Sequence, residues 1–239
     1  MSISADSVAP IAVARRSGHD ESIHHGVGVV VAADGAVVSS LGDVRTAIYP
    51  RSALKPLQAS AMVSLGLDLP AHLLALVCAS HSGEPDHLAG VIQILDRHAL
   101  GVHDLENTKT LPLGADANET ARRAGVEPSS LQQNCSGKHA GMLATCTVNG
   151  WPTTGYRDPD HPLQQAITDH LVGLGAAVGH VGIDGCGAPT HVVRLVDLAR
   201  SIGTISGPDA PEAGIAAAMR LHPWMVGGPG RDVTVWMTS

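Results

Sequence analysis

The sequence predicts a mixed α+β fold, on three observations. Two β-branched runs (27–32 and 36–41) flank the turn pair Asp34-Gly35, the pattern of a hairpin. Beyond Pro50, apolar residues recur at helical spacing in successive stretches separated by Gly- and Pro-marked loops. Hydrophobic residues make up 44% of the chain and charged residues 15%, the balance of a packed globular chain and not of a disordered one. At 239 residues the chain is long enough to bury a full core. The expected organisation is a loose leader over 1–20 and a single domain over 21–239.

Behind the hairpin, Arg51 or Ser52 opens a helix over 52–63, with Pro56 in its first turn, where a missing N–H is tolerated. A second helix is expected over 69–79, and Ser80-His81-Ser82-Gly83-Glu84-Pro85 forms a polar loop after it. Helices follow over 86–100 and 119–124. Asn134-Cys135-Ser136-Gly137-Lys138-His139 is a polar loop running into a helix of small residues. A Pro/Asp/Gly-rich stretch (151–162) leads to a helix over 163–174, and a second Gly-rich polar segment covers 182–191. Helices over 191–201 and 213–221 and a short β-like piece over 233–237 complete the reading. Aromatic residues are only 2% and Phe is absent, so the core must rest on Ala, Val, Leu and Ile.

The composition excludes several function classes. A formal charge of −7 leaves no basic stripe to neutralise phosphates, which argues against a nucleic-acid partner. The longest apolar run, 73–79, is core-sized and far short of a membrane span. Arg15 and Arg16 follow the mildly apolar stretch 7–14 where a secretory signal would have them precede it. Four irregularly spaced cysteines do not form a disulfide framework, and the expected compartment is the cytoplasm.

Chemistry concentrates in the polar loops. Ser52 and Lys55 stand three residues apart, one helical turn, so hydroxyl and amine share a face. A serine hydroxyl attacks only when a neighbour removes its proton, and a lysine does so only when burial or nearby positive charge lowers its pKa. Arg51 and the helix N-terminus supply such charge. The bland alternative is a capping serine beside a surface lysine. Ser80 to Glu84 offers two hydroxyls, an imidazole and a carboxylate, which reads either as a substrate-binding turn or as a helix cap. Cys135 and Cys186 both lie in Gly-flanked loops, where two thiolates and a nitrogen donor would suit Zn²⁺, although two buried free cysteines would look the same. His24, His25, His161 and His191 are further candidate donors.

Read together, these segments resemble the asparaginase II family, the rhizobial-type L-asparaginases. The matching stretches are Glu21-Ser22-Ile23-His24-His25-Gly26, Pro50-Arg51-Ser52-Ala53-Leu54-Lys55, the run from Cys78 to His87, and Asn134-Cys135-Ser136-Gly137-Lys138-His139. Tyr156 with Pro159-Asp160-His161-Pro162, the run from Gly182 to Thr190, and the run from Met219 to Arg231 continue the match in the family's order. The resemblance implies hydrolysis of asparagine to aspartate and ammonia, and a sheet flanked by helices similar to serine β-lactamases and glutaminases. It implies a first Ser-Lys tandem at Ser52 and Lys55, with Ser80 as the serine of a second tandem. It implies zinc held by Cys135, Lys138 and Cys186, with Arg51, His81, Asp184 and Gly185 placing the substrate, and a homodimer.

Family members continue beyond the region matched here, into a segment that supplies the second tandem's lysine. A C-terminally shortened domain with an incomplete sheet is therefore expected, and with it a weakened, metal- or ligand-binding homologue as the alternative to a working amidohydrolase. A β-lactam- or peptidoglycan-directed acyl-serine enzyme is disfavoured, because Ser-Asp-Asn and Lys-Thr-Gly motifs are absent.

Overall fold

In the computed structural model, which describes residues 4–207 and 213–239, the chain opens on two antiparallel hairpins. The first joins β1 (Ala9–Arg16) to β2 (His19–Gly26) through Ser17-Gly18. Both turn residues have positive φ, 50° and 81°, the twist that a tight two-residue connection requires. Arg15 pairs with Asp20 at 2.6 Å and Arg16 with Glu21 at 2.9 Å beside this turn. Within the leader expected over 1–20, residues 9–16 and 19–20 thus belong to a strand pair. Its polar residues point to both faces, which hid the alternation that marks a half-buried strand. The second hairpin joins β3 (Gly28–Val31) to β4 (Val37–Leu41) around Asp34-Gly35, as the sequence predicts.

After β5 (Ala47–Ile48) a 3₁₀ turn, Arg51–Leu54, leads into α1 (Lys55–Ser64). α2 (Ala71–Val77), α3 (Pro85–Asp96), α4 (Ala115–Arg123), α5 (Ser136–Val148) and α6 (Pro162–Gly173) follow. Next come β6 (His180–Ile183) and β7 (Pro189–Arg194), which with β5 form an antiparallel sheet in the order β5-β7-β6. The chain closes with α7 (Leu195–Ser206), α8 (Ala213–Leu221), α9 (Pro223–Val226) and α10 (Asp232–Thr238). The mixed α+β class holds. Among the described residues the strands are divided over three small sheets, and the helices pack mainly on one another.

Two expected elements take another form. Residues 191–194, expected as the start of a helix, belong to β7, and α7 begins after Arg194, whose guanidinium clasps Asp197 at 2.6 Å. Residues 233–237, expected as β-like, lie in α10. Thr238 bonds back to the Thr234 carbonyl at 3.1 Å there, and Asp232 supplies a carboxylate to the first turn.

The core is built from Leu54, Leu57, Met62, Leu73, Leu76, Ile94, Met142 and Leu143, with small residues where helices cross. Gly137 and Gly141, one turn apart on α5, face α2. A Cβ on Gly137 would overlap the Leu76 carbonyl, and one on Gly141 would stand 2.9 Å from Val77 Cγ1. This close backbone approach is how a core without Phe fills its volume. Gly137→Ala is expected to lower stability by about 1–3 kcal/mol, read as a lower urea midpoint with an unchanged slope. A midpoint equal to the parent's would show that α5 does not sit this tightly on α2.

Candidate active site

The chain leaves β5, turns sharply, and starts α1 within a few residues. Arg51 takes a left-handed φ of 55° at this corner, which sets the next residue, Ser52, on the exposed side. Lys55, three residues on, is 2% exposed. Its ammonium has been drawn out of water, and it finds two acceptors from the end of α2. Nζ donates to the Ala79 carbonyl and to Ser80 Oγ, the latter at 2.7 Å. Ser80 Oγ in turn donates to Ser52 Oγ at 2.6 Å. Lys55 therefore reaches Ser52 through Ser80, where the sequence reading had the two meet directly. Burial pulls the Lys55 pKa down; the Cys135 thiol opposes this and Lys138 adds to it.

Behind Lys55 sit the thiols. Cys135 precedes α5 and Lys138 lies in its first turn, while Cys186 lies in the β6–β7 turn, where Gly187 has φ 84°. Lys138 Nζ donates to Cys186 Sγ at 3.3 Å, and all three side chains are buried. The two thiols share a hydrogen bond that lowers the Cys135 pKa, against the opposing effect of burial, and raises that of Cys186. The pair therefore favours holding a single negative charge on Cys135. All four cysteines are free.

Arg51 Nη2 lies 2.9 Å from Asp184 Oδ1, which also accepts from the Gly185 amide at 2.7 Å. This ties the serine corner to the Cys186 turn. A hollow of about 380 Å³ opens in front of the hydroxyl pair, lined by Ser52, Ser80, Cys78, Met219, Val226 and Arg231. A larger crevice of about 530 Å³ between the β3–β4 turn and α7 is lined by neither Ser52, Lys55 nor Ser80.

The structure corrects the reading of His81. It is fully buried, its Nε2 meets Ser136 Oγ at 2.9 Å, and its ring stacks on His87, so it does not face the hollow. Glu84 stands at the N-cap of α3, as the capping alternative had it. His24 and His25 lie on exposed β2, both ring nitrogens of His161 are engaged at the start of α6, and His191 Nε2 meets Thr168 Oγ1 at 2.8 Å. No three His, Cys, Asp or Glu residues among those described form a metal-sized cluster, and the amine beside Cys186 is that of Lys138. Arg231 was not foreseen as a site residue. Its only signal was its place at the end of the Gly227-Gly228-Pro229-Gly230 run.

Burial holds several histidines neutral. It lowers His81 well below the ordinary value with His87 and Lys55 adding to it, it lowers His87, and it lowers His191 to about 4 with Lys138 adding to it. A depressed folded pKa gives stability that is complete above about pH 6.5 and is lost as pH falls towards 4. His191 alone accounts for an upper bound on the order of 3 kcal/mol. Urea midpoints should therefore fall steadily between pH 7 and pH 4.5, and a flat profile would show that these rings protonate freely in the folded chain.

The L-asparaginase II family profile matches residues 12–239. No match is found among curated proteins. With nearly the whole chain covered, from the first strand to the last helix, the protein belongs to the L-asparaginase II family.

Proposed function

We propose that the chain hydrolyses the side-chain amide of L-asparagine to aspartate and ammonia through an acyl-serine formed on Ser52. The observation that carries this reading is the hydrogen-bonded file Lys55–Ser80–Ser52, which ends at a hollow of substrate size. Ser52 is exposed at the open end of the file and Lys55 is buried at its closed end. The donors as arranged belong to a protonated Lys55. Once it is neutral the file reverses, with Ser52 giving its proton to Ser80 and Ser80 giving its own to Lys55. Ser52 Oγ then bonds to the amide carbon, and backbone N–H groups at the corner hold the oxyanion. The proton returns along the file to the amide nitrogen, the C–N bond breaks, and ammonia leaves. Water, deprotonated by the same file, cleaves the ester and releases aspartate.

Cys135, Lys138 and Cys186 fit Zn²⁺ as a donor set. Two sulfurs and an amine converge in a buried place, and one thiol is already biased towards thiolate. A bound ion would supply Lewis-acidic positive charge next to Lys55. The likeness to serine β-lactamases and glutaminases is part of the same reading, supported by the Ser-x-x-Lys segment at the head of α1. So are the cytoplasmic setting and a homodimer, the latter supported by Ile11, Val13, Ile23 and Val38 left exposed on the two hairpins.

Ammonia release should be measured from asparagine, glutamine and a penicillin-type β-lactam side by side. Ser52→Ala is expected to abolish turnover, and Lys55→Met to slow it by about 10²–10⁴-fold. A Ser52→Ala variant with parental turnover ends the assignment, and an acyl adduct trapped on Ser80 moves it to that residue. A chain that binds zinc and releases no ammonia would be a metal-binding homologue of the family. Zinc content gives a separate readout. Cys186→Ser is expected to hold less than half the parental zinc and to lose the melting-temperature drop that a chelator produces in the parent. Equal zinc in both would place the metal elsewhere.

A further inference from the structure

Arg231 is carried into the site by a short loop that the structure pins from both sides. The Gly227 carbonyl accepts from Ser82 N at 3.0 Å and from Ser82 Oγ at 2.7 Å, and the Gly228 carbonyl accepts from Thr234 Oγ1 at 2.8 Å. Gly228 has φ 99°, and a Cβ there would stand 2.8 Å from Ser82 Oγ, so this residue has neither the backbone freedom nor the room to be anything else. The loop is thereby sewn to the Ser80–Ser82 strip. The next side chain after it, Arg231, lies over that strip, with Nη1 3.4 Å from the Ser80 carbonyl.

The charge of this guanidinium is unanswered. Arg51 pairs with Asp184, Arg157 with Glu106 and Arg194 with Asp197, but Arg231 has no carboxylate within ion-pair distance among the described residues. Glu84 and Asp116 lie across an adjoining crevice and stay beyond that distance. Its single long hydrogen bond to a carbonyl occupies little of a donor fork built for five. Among the described residues, Arg231 is also the one charged residue lining the hollow, with the hydroxyls of Ser52 and Ser80 and the apolar side chains of Pro56, Met219 and Val226. A lone cation facing apolar walls draws an anion more strongly than one in open water.

We propose that Arg231 binds the α-carboxylate of the amino-acid substrate and so selects amides that carry a carboxylate close to the scissile carbonyl. The inference rests on the amidohydrolase reading above and adds its specificity. The hydroxyl pair and the guanidinium stand on the same strip, separated by little more than the Ser80 residue itself, so a short molecule with an amide at one end and a carboxylate at the other spans them. Arg51, neutralised by Asp184, is the poorer anchor for that charge.

The test compares the parent, Arg231→Gln and Arg231→Lys on L-asparagine and on its α-N-methylamide, which lacks the carboxylate and still releases ammonia only from the side chain. For asparagine, Arg231→Gln is expected to lose about 10- to 100-fold in kcat/KM, mainly through a higher KM, with Arg231→Lys between it and the parent. On the methylamide all three should agree within about twofold. An equal loss on both compounds, or no loss on asparagine, overturns the proposal. Calorimetric titration with L-aspartate separates this inference from the reading beneath it. If the parent releases no ammonia but binds aspartate at least tenfold more tightly than Arg231→Gln does, the binding role stands and the amidohydrolase reading falls. If parent and variant bind aspartate alike, or the parent does not bind it, the proposal falls whatever the turnover. Should Arg231→Gln fail to fold, the same comparisons are decided on Arg231→Lys.

Discussion

The site depends on one lysine ammonium being taken out of water. Lys55 is 2% exposed, and an ammonium in such a place is stable only if acceptors come to it or its proton leaves. The structure provides both routes. The Ala79 carbonyl and Ser80 Oγ come from the end of α2 to meet Nζ, while burial moves its pKa towards the neutral form. A group poised between these states can take up and give back a proton. Moving Lys55 to the surface would remove that property while leaving the Ser52 hydroxyl in place.

Holding those acceptors there is a packing problem, and the helices solve it with small residues. Ala79 and Ser80 sit at the end of α2, whose position is fixed by the close approach of α5 at Gly137 and Gly141. The same approach brings Lys138, the residue after Gly137, and Cys135 at the head of α5, against the Cys186 turn. One helix crossing therefore positions both the hydroxyl file and the thiol pair. The electrostatic link follows from it, since Lys55, Lys138 and the two thiols each shift the titration of another member of the group.

How far the sequence could be read varied with the range of the interaction. The β3–β4 hairpin was legible because Asp34-Gly35 and its flanking valines act within a few residues. The one-turn spacing of Ser52 and Lys55 was legible for the same reason. Their connection through Ser80 was not, because it joins α1 to the end of α2 across 28 residues of chain. The β1–β2 hairpin was missed because a ribbon exposed on both faces carries no burial pattern. Residues 191–194 were misread because β7 is buried on both faces, so its run of apolar and polar residues does not alternate. Residues 233–237 were misread because Val, Thr and Trp favour strands only where a sheet edge receives them, and here a local acid and hydroxyls that bond back to the helix carbonyls favour a helix. The resemblance supplied what spacing could not, the convergence of Cys135, Lys138 and Cys186 from two distant loops.

Charge pairing separates the residues that build the site from those that face its ligand. Asp184 is spent on Arg51 and on the Gly185 amide, an arrangement that braces the serine corner against the Cys186 turn. His81, wedged between Ser136 and His87, braces the loop that carries Ser80. Arg51 and Asp184 have their partners within the fold and His81 is enclosed by it, so their removal is felt first as a loss of shape. Ser52 at the open end of its file and Arg231 over the Ser80 strip have bonding capacity left over. Capacity left over at the rim of a hollow, on groups that a small molecule can reach, is where a substrate can be recognised.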